Sequence, residues 1–310
     1  MPSNSRAASP CDPAGDAAFR ARVLAVHGPG ARTWLDELAG IVDRWRRHWA
    51  LGPPRPYPHS YHWVAAVDRA DGTPCVLKLA PPGAREPVVE ARWLTRVGGR
   101  GAVRLLDCAP GEGALLLERI EPGSSLAALV PEQDERACEV LAAVAAAIRR
   151  PADPADALPA LADRVGELST YRQVRGHDVL PAGMVAAAER TAVDLLRTAP
   201  ADVLLHADLH HENVLWDRDR GWLAIDPHGL VGDPAYELAT LLYNPLSLGP
   251  DAADLAQGRC AHLARASGIE QERIRAWGFV QAVLSAVWSL DEDPVPDANV
   301  LAVAARLRVR

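Results

Sequence analysis

At 310 residues the chain is about twice the usual single-domain length, so two lobes or domains are expected. Hydrophobic residues make up 49% of it, enough for a large core, which excludes wholesale disorder. Forty Asp+Glu against 33 Lys+Arg leave a net charge of −7, which argues against a duplex-DNA binder and permits cationic small molecules.

Residues 1–18 are rich in Pro, Ala and Ser and are expected to be disordered. Over 32–51, Trp34, Leu38, Ile41 and Trp45 recur at helical spacing. The segment GPPRPYP then forces an extended stretch. YHWVAAV (61–67) and PCVLKLA (74–80) flank DRADGT, in which Asp71-Gly72 signals a hairpin. Alternation on the second strand puts Val76 and Lys78 on one face and Cys75, Leu77 and Leu79 on the other. Residues 86–97 read as a helix, and 104–120 as two more strands around a Gly-containing turn. The first part is therefore a small antiparallel sheet with an inserted helix. From Pro122 onward Ala/Leu helices dominate, with a Pro-rich, irregular stretch over 151–181 and helices again over 251–310.

Lys78 is the only lysine; every other Lys/Arg position is arginine. The five cysteines (Cys11, Cys75, Cys108, Cys138, Cys260) are odd in number and widely spaced, which favours a reducing cytoplasm. The N-terminus lacks the apolar core of a secretory signal. The longest apolar stretch, Val140 to Ile148, is far short of the roughly 20 residues that span a bilayer. A soluble, cytoplasmic protein with no membrane or nucleic-acid partner is the expectation.

Residues 203–245 concentrate the chemistry: VLLHADLHHENVLWDRDRGWLAIDPHGLVGDPAYELATLLYNP. Val214–Trp216 and Trp222–Ile225 are apolar runs joined by DRDRG, an expected antiparallel hairpin. Such a hairpin brings Asn213, just before the first strand, to the same end as Asp226, just after the second. One amide oxygen, one carboxylate and open positions suit magnesium bridging phosphates. Asp208 shares that loop, close to the metal but not on it. His206-Ala-Asp208, with Asn213 five residues after Asp208, reproduces a kinase catalytic-loop spacing. Asp226-Pro-His-Gly229 then takes the place of Asp-Phe-Gly. Lys78 lies on the strand after the hairpin, and Glu90 on the next helix is within reach to pair with it.

On these residues the chain resembles the aminoglycoside/hydroxyurea phosphotransferases, typified by the streptomycin kinases. The likeness runs over SYHWVAAV, DGTPCVLKL, GAVRLLD, ALLLERIEPGSSL, LLHADLHHENVL, GWLAIDPHGLVGDPAYELATLLYNP and RIRAWGFVQAVLSAVWSL, roughly residues 34 to 292. It implies an α+β, two-lobed protein-kinase-like fold. The N-lobe, 19–121 with a leading helix, would bind nucleotide at the hinge. The helical C-lobe, 122–310, would hold the catalytic loop and substrate site. The reaction implied is transfer of the γ-phosphate of ATP, with Mg2+, to a hydroxyl of an aminoglycoside-type antibiotic, streptomycin foremost, inactivating it and so conferring resistance.

Carried over by position, Asp208 would accept the hydroxyl proton, and Asn213 and Asp226 would ligate magnesium. Lys78, positioned by Glu90, would hold the α and β phosphates. His206 would brace the loop and His210 would contact the transferred phosphate. The backbone near Glu118 and Ile120 would meet adenine, and Ser60 would lie in the phosphate-covering loop. His211 and His228 are expected to pack in the loop or face solvent. A monomer or weak dimer is expected.

The chain also departs from the family: PHSYH contains no glycine, Ala207 replaces a usual glycine, and Glu237 stands where relatives carry Asp. Hydroxyurea, a peptide antibiotic or a sugar-like metabolite stay open as acceptors. A nucleotide-binding pseudokinase stays open as well. So does a zinc or dinuclear hydrolase built on the histidines, although that reading leaves Lys78, Glu90 and LLLERIEPG unexplained.

Overall fold

A computed structural model describes residues 16–57, 61–175, 179–181, 183–290 and 295–308. It divides into two compact units, Met1–Ala91 with Arg104–Arg119, and Arg92–Val103 with Ile120–Arg310.

In the first unit, helix α1 (Ala17–His27) starts at an Asp16 cap whose carboxylate accepts the Ala18 and Phe19 N–H groups at 2.9 and 3.1 Å. The helix thus begins just inside the stretch expected to be disordered; residues 1–15 lie outside the described residues. Helix α2 (Ala31–His48) buries Trp34, Leu35, Leu38, Val42 and Trp45. Ile41, read as a core position, is only half-buried because Val42 takes its place on that face. Strands β1 (Arg55–Pro56), β2 (Trp63–Asp68), β3 (Pro74–Leu79), β4 (Leu105–Ala109) and β5 (Ala114–Glu118) form one antiparallel sheet in the order β1-β2-β3-β5-β4. The β2–β3 connection is wider than a two-residue Asp-Gly turn. Asp68 pairs with Pro74, and Gly72 adopts φ +84° inside the loop. Cys75, Leu77 and Leu79 join the core formed with α1 and α2, and Lys78 points from the other face. Helix α3 (Glu86–Val97) carries Glu90.

The unit boundary falls inside α3, so 92–103 belongs with the second unit rather than with a continuous 19–121 lobe. The reason is local bonding. Arg96 pairs with Asp156, Arg92 donates to the Ala157 carbonyl, and Val103 N–H donates to the Ala224 carbonyl. The second unit is mainly helical: α4 (Asp134–Ile148), α5 (Leu161–Arg175), α6 (Met184–Arg197), α7 (Asp251–Ser267), α8 (Gln271–Ser289) and α9 (Ala298–Leu307). Helix α5 corrects the reading of 151–181 as irregular. Leu161, Val165, Leu168 and Tyr171 are buried at helical spacing, a stripe that the flanking prolines obscured. Residues 126–129, read as helical, form a single 3-10 turn after β6 (Pro122–Ser125).

Two small sheets carry the motif-dense region. Strand β7 (Val203–Leu205) pairs with β10 (Leu230–Gly232), and β6 pairs with the hairpin of β8 (Val214–Asp217) and β9 (Gly221–Ala224). Asp217 closes that hairpin by accepting the Asp219 and Arg220 N–H groups. Among the described residues no helix is long and apolar enough to cross a membrane.

Candidate active site

The loop between β7 and β8 is held open by a buried acid. The Glu237 carboxylate, 4% exposed, accepts the backbone N–H of His206 at 2.6 Å and of Ala207 at 3.0 Å. Burial pushes the Glu237 carboxyl up to about 7, against the opposing pull of those two N–H groups. Ala207 adopts φ +68°, a left-handed conformation that costs a residue with a Cβ roughly 1–2 kcal/mol. His206 is fully buried, and burial depresses its imidazole to about 4, so it is neutral at pH 7. Its Nε2 therefore donates to the Ile225 carbonyl at 2.8 Å, and its Nδ1 accepts the Asp208 N–H at 3.3 Å. Trp93 packs edge-on against the ring. Through His206 the loop is tied to the turn after β9, and the His206 carbonyl accepts the N–H groups of His228 and Gly229.

Asp208 is half-buried and ringed by imidazoles. His210 Nε2 lies 3.5 Å and His228 Nε2 3.7 Å from its Oδ2. Burial alone would raise Asp208, but the bond to His210 and the charges of His228, His210 and His206 outweigh it and hold the carboxylate below its ordinary range. His210 shows the converse. Burial opposes its charge, yet bonds to Asp208 and to Glu212 (Nδ1 to Oε2, 2.8 Å) carry it up to about 9. A carboxylate kept ionised can accept a proton from a hydroxyl placed against it.

Asn213 ends the loop. Its amide nitrogen donates to the Asp208 backbone carbonyl at 3.0 Å and to Oδ2 at 3.1 Å. With the nitrogen so committed, the amide oxygen is the group left for a cation. Val214 pairs with Ala224 and the Ile225 N–H bonds the Asn213 carbonyl, so Asn213 and the exposed Asp226 stand at one end of the hairpin. Asp226 has φ +58°, a strained conformation common at functional sites. One carboxylate and one amide oxygen fit an octahedral magnesium that keeps water and phosphate ligands. Among the described residues no three of His, Cys, Asp and Glu converge as a metal site. His206 and His211 face the interior, and His210 bonds Glu212 and lies 3.5 Å from Asp208.

In the first unit, the Lys78 ammonium bonds Glu90 at 2.6 Å, with side-chain exposures of 6% and 3%. Lys78 pairs in register with Val64 and Leu115, centred in the sheet. Glu118 turns its carboxylate back onto Arg104, and its N–H bonds the Arg104 carbonyl. Ile120 is buried at the start of the second unit. Ser60 lies outside the described residues.

Three residues were not read from sequence as parts of this arrangement. Glu237 is one. His228, expected to pack or face solvent, stands beside Asp208; its place two residues after Asp226 was the available signal. His211 is fully buried, its ring nitrogens bond no group among the described residues, and burial depresses it to about 2.

A family model described as aminoglycoside/hydroxyurea antibiotic resistance kinase matches residues 48–293. A hydroxyurea phosphotransferase of Kitasatospora aureofaciens is 34% identical over 275 residues, covering 86% of this chain and 78% of that protein. A streptomycin 3''-kinase of Klebsiella pneumoniae is 37% identical over 242 residues, 74% of this chain and 85% of that one. Among solved structures, aminoglycoside phosphotransferase APH(4)-Ia in a ternary complex with ADP and hygromycin B gives a TM-score of 0.59 at 18% identity, covering 86% of this chain and 97% of that one. Choline kinase LicA from Streptococcus pneumoniae gives 0.60 at 14% identity, covering 87% and 98%. At these identities the structural likeness is one of fold.

Proposed function

We propose that this chain, which belongs to the aminoglycoside/hydroxyurea antibiotic resistance kinase family and is a small-molecule phosphotransferase, moves the γ-phosphate of ATP to a hydroxyl of an aminoglycoside-type antibiotic, with streptomycin the foremost acceptor. The observation that carries the reading is the Asp208–Asn213 hydrogen bond at the end of the hairpin that also bears Asp226. In this reading Asp208 takes the proton of the acceptor hydroxyl as its oxygen bonds the γ-phosphorus. The bond from that phosphorus to the β–γ bridging oxygen breaks, and ADP leaves. Asn213 and Asp226 would hold Mg2+, which would neutralise charge on the phosphates. Lys78, oriented by Glu90, engages phosphate oxygens, and His210 offers a second positive charge to the transferred group. The backbone near Glu118 and Ile120 is assigned to adenine. Phosphorylation adds negative charge to a cationic drug and removes a donor hydroxyl, which accounts for resistance by inactivation.

A second acceptor, hydroxyurea, is favoured by the relative of that name at 34% identity. The test is a panel of streptomycin, hydroxyurea, a peptide antibiotic and a sugar alcohol with ATP and Mg2+, read by mass for an added phosphate. Streptomycin should gain one phosphate. No phosphorylated product from any acceptor would defeat the reading. With the accepted substrate, Asp208→Asn should lower turnover by about 10² to 10⁴, the span of a lost general base. Unchanged turnover would remove Asp208 from that role.

A further inference from the structure

The second unit contains a cleft of about 570 Å³ lined by none of the residues assigned above to the reaction. Its floor is aliphatic: Val140, Ala143, Val144 and Ala147 on α4, with Leu223 of β9 beside them. Trp222, the neighbour of Leu223, is half-buried and forms one side. Trp216, its cross-strand partner on β8, packs edge-on against that indole with ring centroids 5.3 Å apart.

The loop after α3 forms another side, and several contacts fix it. Gly101 has φ +73°, and a Cβ there would stand 2.7 Å from that of Ala147, so its backbone closes directly on α4. The Gly101 carbonyl accepts the Ala224 N–H at 2.9 Å, and the Ala224 carbonyl accepts the Val103 N–H at 2.9 Å. Arg220 donates to the carbonyls of Gly99 and Ala102.

The polar groups of the cleft are sorted by kind. Arg136 and Arg220 bring guanidiniums and Trp222 an indole N–H, groups that only donate. Among the described residues that line the cleft, Glu139 is the one acidic side chain, and Arg136 bonds it at 2.8 Å. The Gly99, Gly101 and Ala147 carbonyls already accept from Arg220, the Ala224 N–H and Arg150. Donors and positive charge therefore stand over an apolar floor. Small-molecule sites have this make-up, with volumes of about 300–1,000 Å³.

We propose that this cleft is a binding site, separate from the catalytic loop, for a small aromatic anion, a ring carrying a carboxylate or sulfonate. The ring lies on Val140 and Val144 against the Trp222 indole, and the anionic group meets the guanidiniums. The site does not depend on the phosphotransfer reading.

The experiment is calorimetric titration of the full chain with 1-naphthoate and with 1-naphthamide, its uncharged analogue, each with and without ATP and Mg2+. One 1-naphthoate should bind per chain with a Kd below about 1 mM. The amide should bind at least about fivefold more weakly, for want of the charge. ATP should leave the 1-naphthoate Kd within about twofold, since the lining residues are not those assigned to nucleotide. Ala143→Phe fills the cleft from an exposed position on α4 and should weaken 1-naphthoate at least about tenfold with an unchanged urea midpoint. Trp222→Ala should weaken it about five- to tenfold, and it carries the test if Ala143→Phe lowers the midpoint. No 1-naphthoate binding, binding unchanged in both variants, or displacement by ATP would overturn the site. Equal binding of the amide would overturn the anionic class.

Discussion

Ala207 and Glu237 depart from the family pattern at positions that touch each other. The strained Ala207 backbone is held by the same carboxylate that grips His206, and Asp208 is the next residue. Ala207→Gly should relieve the left-handed strain and raise stability by up to about 1 kcal/mol, net of the greater freedom of the unfolded glycine. Glu237→Gln loses one acceptor and turns a donor toward a donor, which should cost about 1–3 kcal/mol. In the double variant the losses should not add, because both changes act on one stretch of backbone. Urea midpoints of the four proteins measure this, and strict additivity would uncouple the pair.

His211 makes a separate case at the same scale. Its depressed folded value means that its contribution is intact above the ordinary histidine value near 6.5 and is lost as pH falls toward 2. Between pH 7 and 5, wild type should therefore lose about 2 kcal/mol more than His211→Leu, which has nothing to protonate. Urea unfolding at the two pH values reads the difference, and parallel losses would show that His211 takes up its proton without unfolding. His210 has the opposite sign, its raised value giving stability that is present below about 6.5 and fades as pH rises through about 9. A scan of the residues alone counts four histidines around the loop and cannot tell the charged ring from the neutral ones.

At the scale of elements, the readings based on period and turn chemistry are the ones the structure repeats: α2, the β2–β3 pair, α3, and the β8–β9 hairpin. Period-two alternation assigns Lys78 a face opposite Leu77 and Leu79 because successive side chains of a strand must alternate. Helix α5 was hidden because its buried stripe sits between prolines and among charged residues. A tertiary fastening was also invisible. Arg259 on α7 is fully buried, donating to the Asp134 carboxylate at the start of α4 and to the carbonyls of Leu241 and Asn244. Arg259→Met should destabilise the chain by about 3–5 kcal/mol, because it leaves Asp134 and two carbonyls without their donor. A change below about 1 kcal/mol in urea would show that the arginine only fills space.

At the scale of the whole molecule, the fold is the two-lobed protein-kinase-like one of aminoglycoside phosphotransferases and choline kinases. The chain is acidic, at −7, yet Lys78 and His210, each proposed to meet phosphate, are cationic. Net charge therefore says little about the site. If ATP and Mg2+ bind only the folded chain, a hundredfold excess over Kd adds about 2.7 kcal/mol, several degrees in Tm. Thermal melts with ATP and Mg2+, and again with EDTA, should show that shift and its reduction. An unshifted Tm would contradict nucleotide binding.

The residues themselves determined whatever depends on neighbours close along the chain. The parity of Lys78 on its strand, the placing of Asn213 and Asp226 at one end of a short hairpin, and the spacing of Asp208 within its loop are of this kind, since strand period and turn length act over a few residues. Tertiary structure alone decided which imidazole is charged, which acid 30 residues away grips Ala207, and that Trp288 meets Glu167 from 121 residues off. Desolvation and hydrogen-bond partners set those outcomes, and both are supplied by groups remote in sequence that only folding brings together.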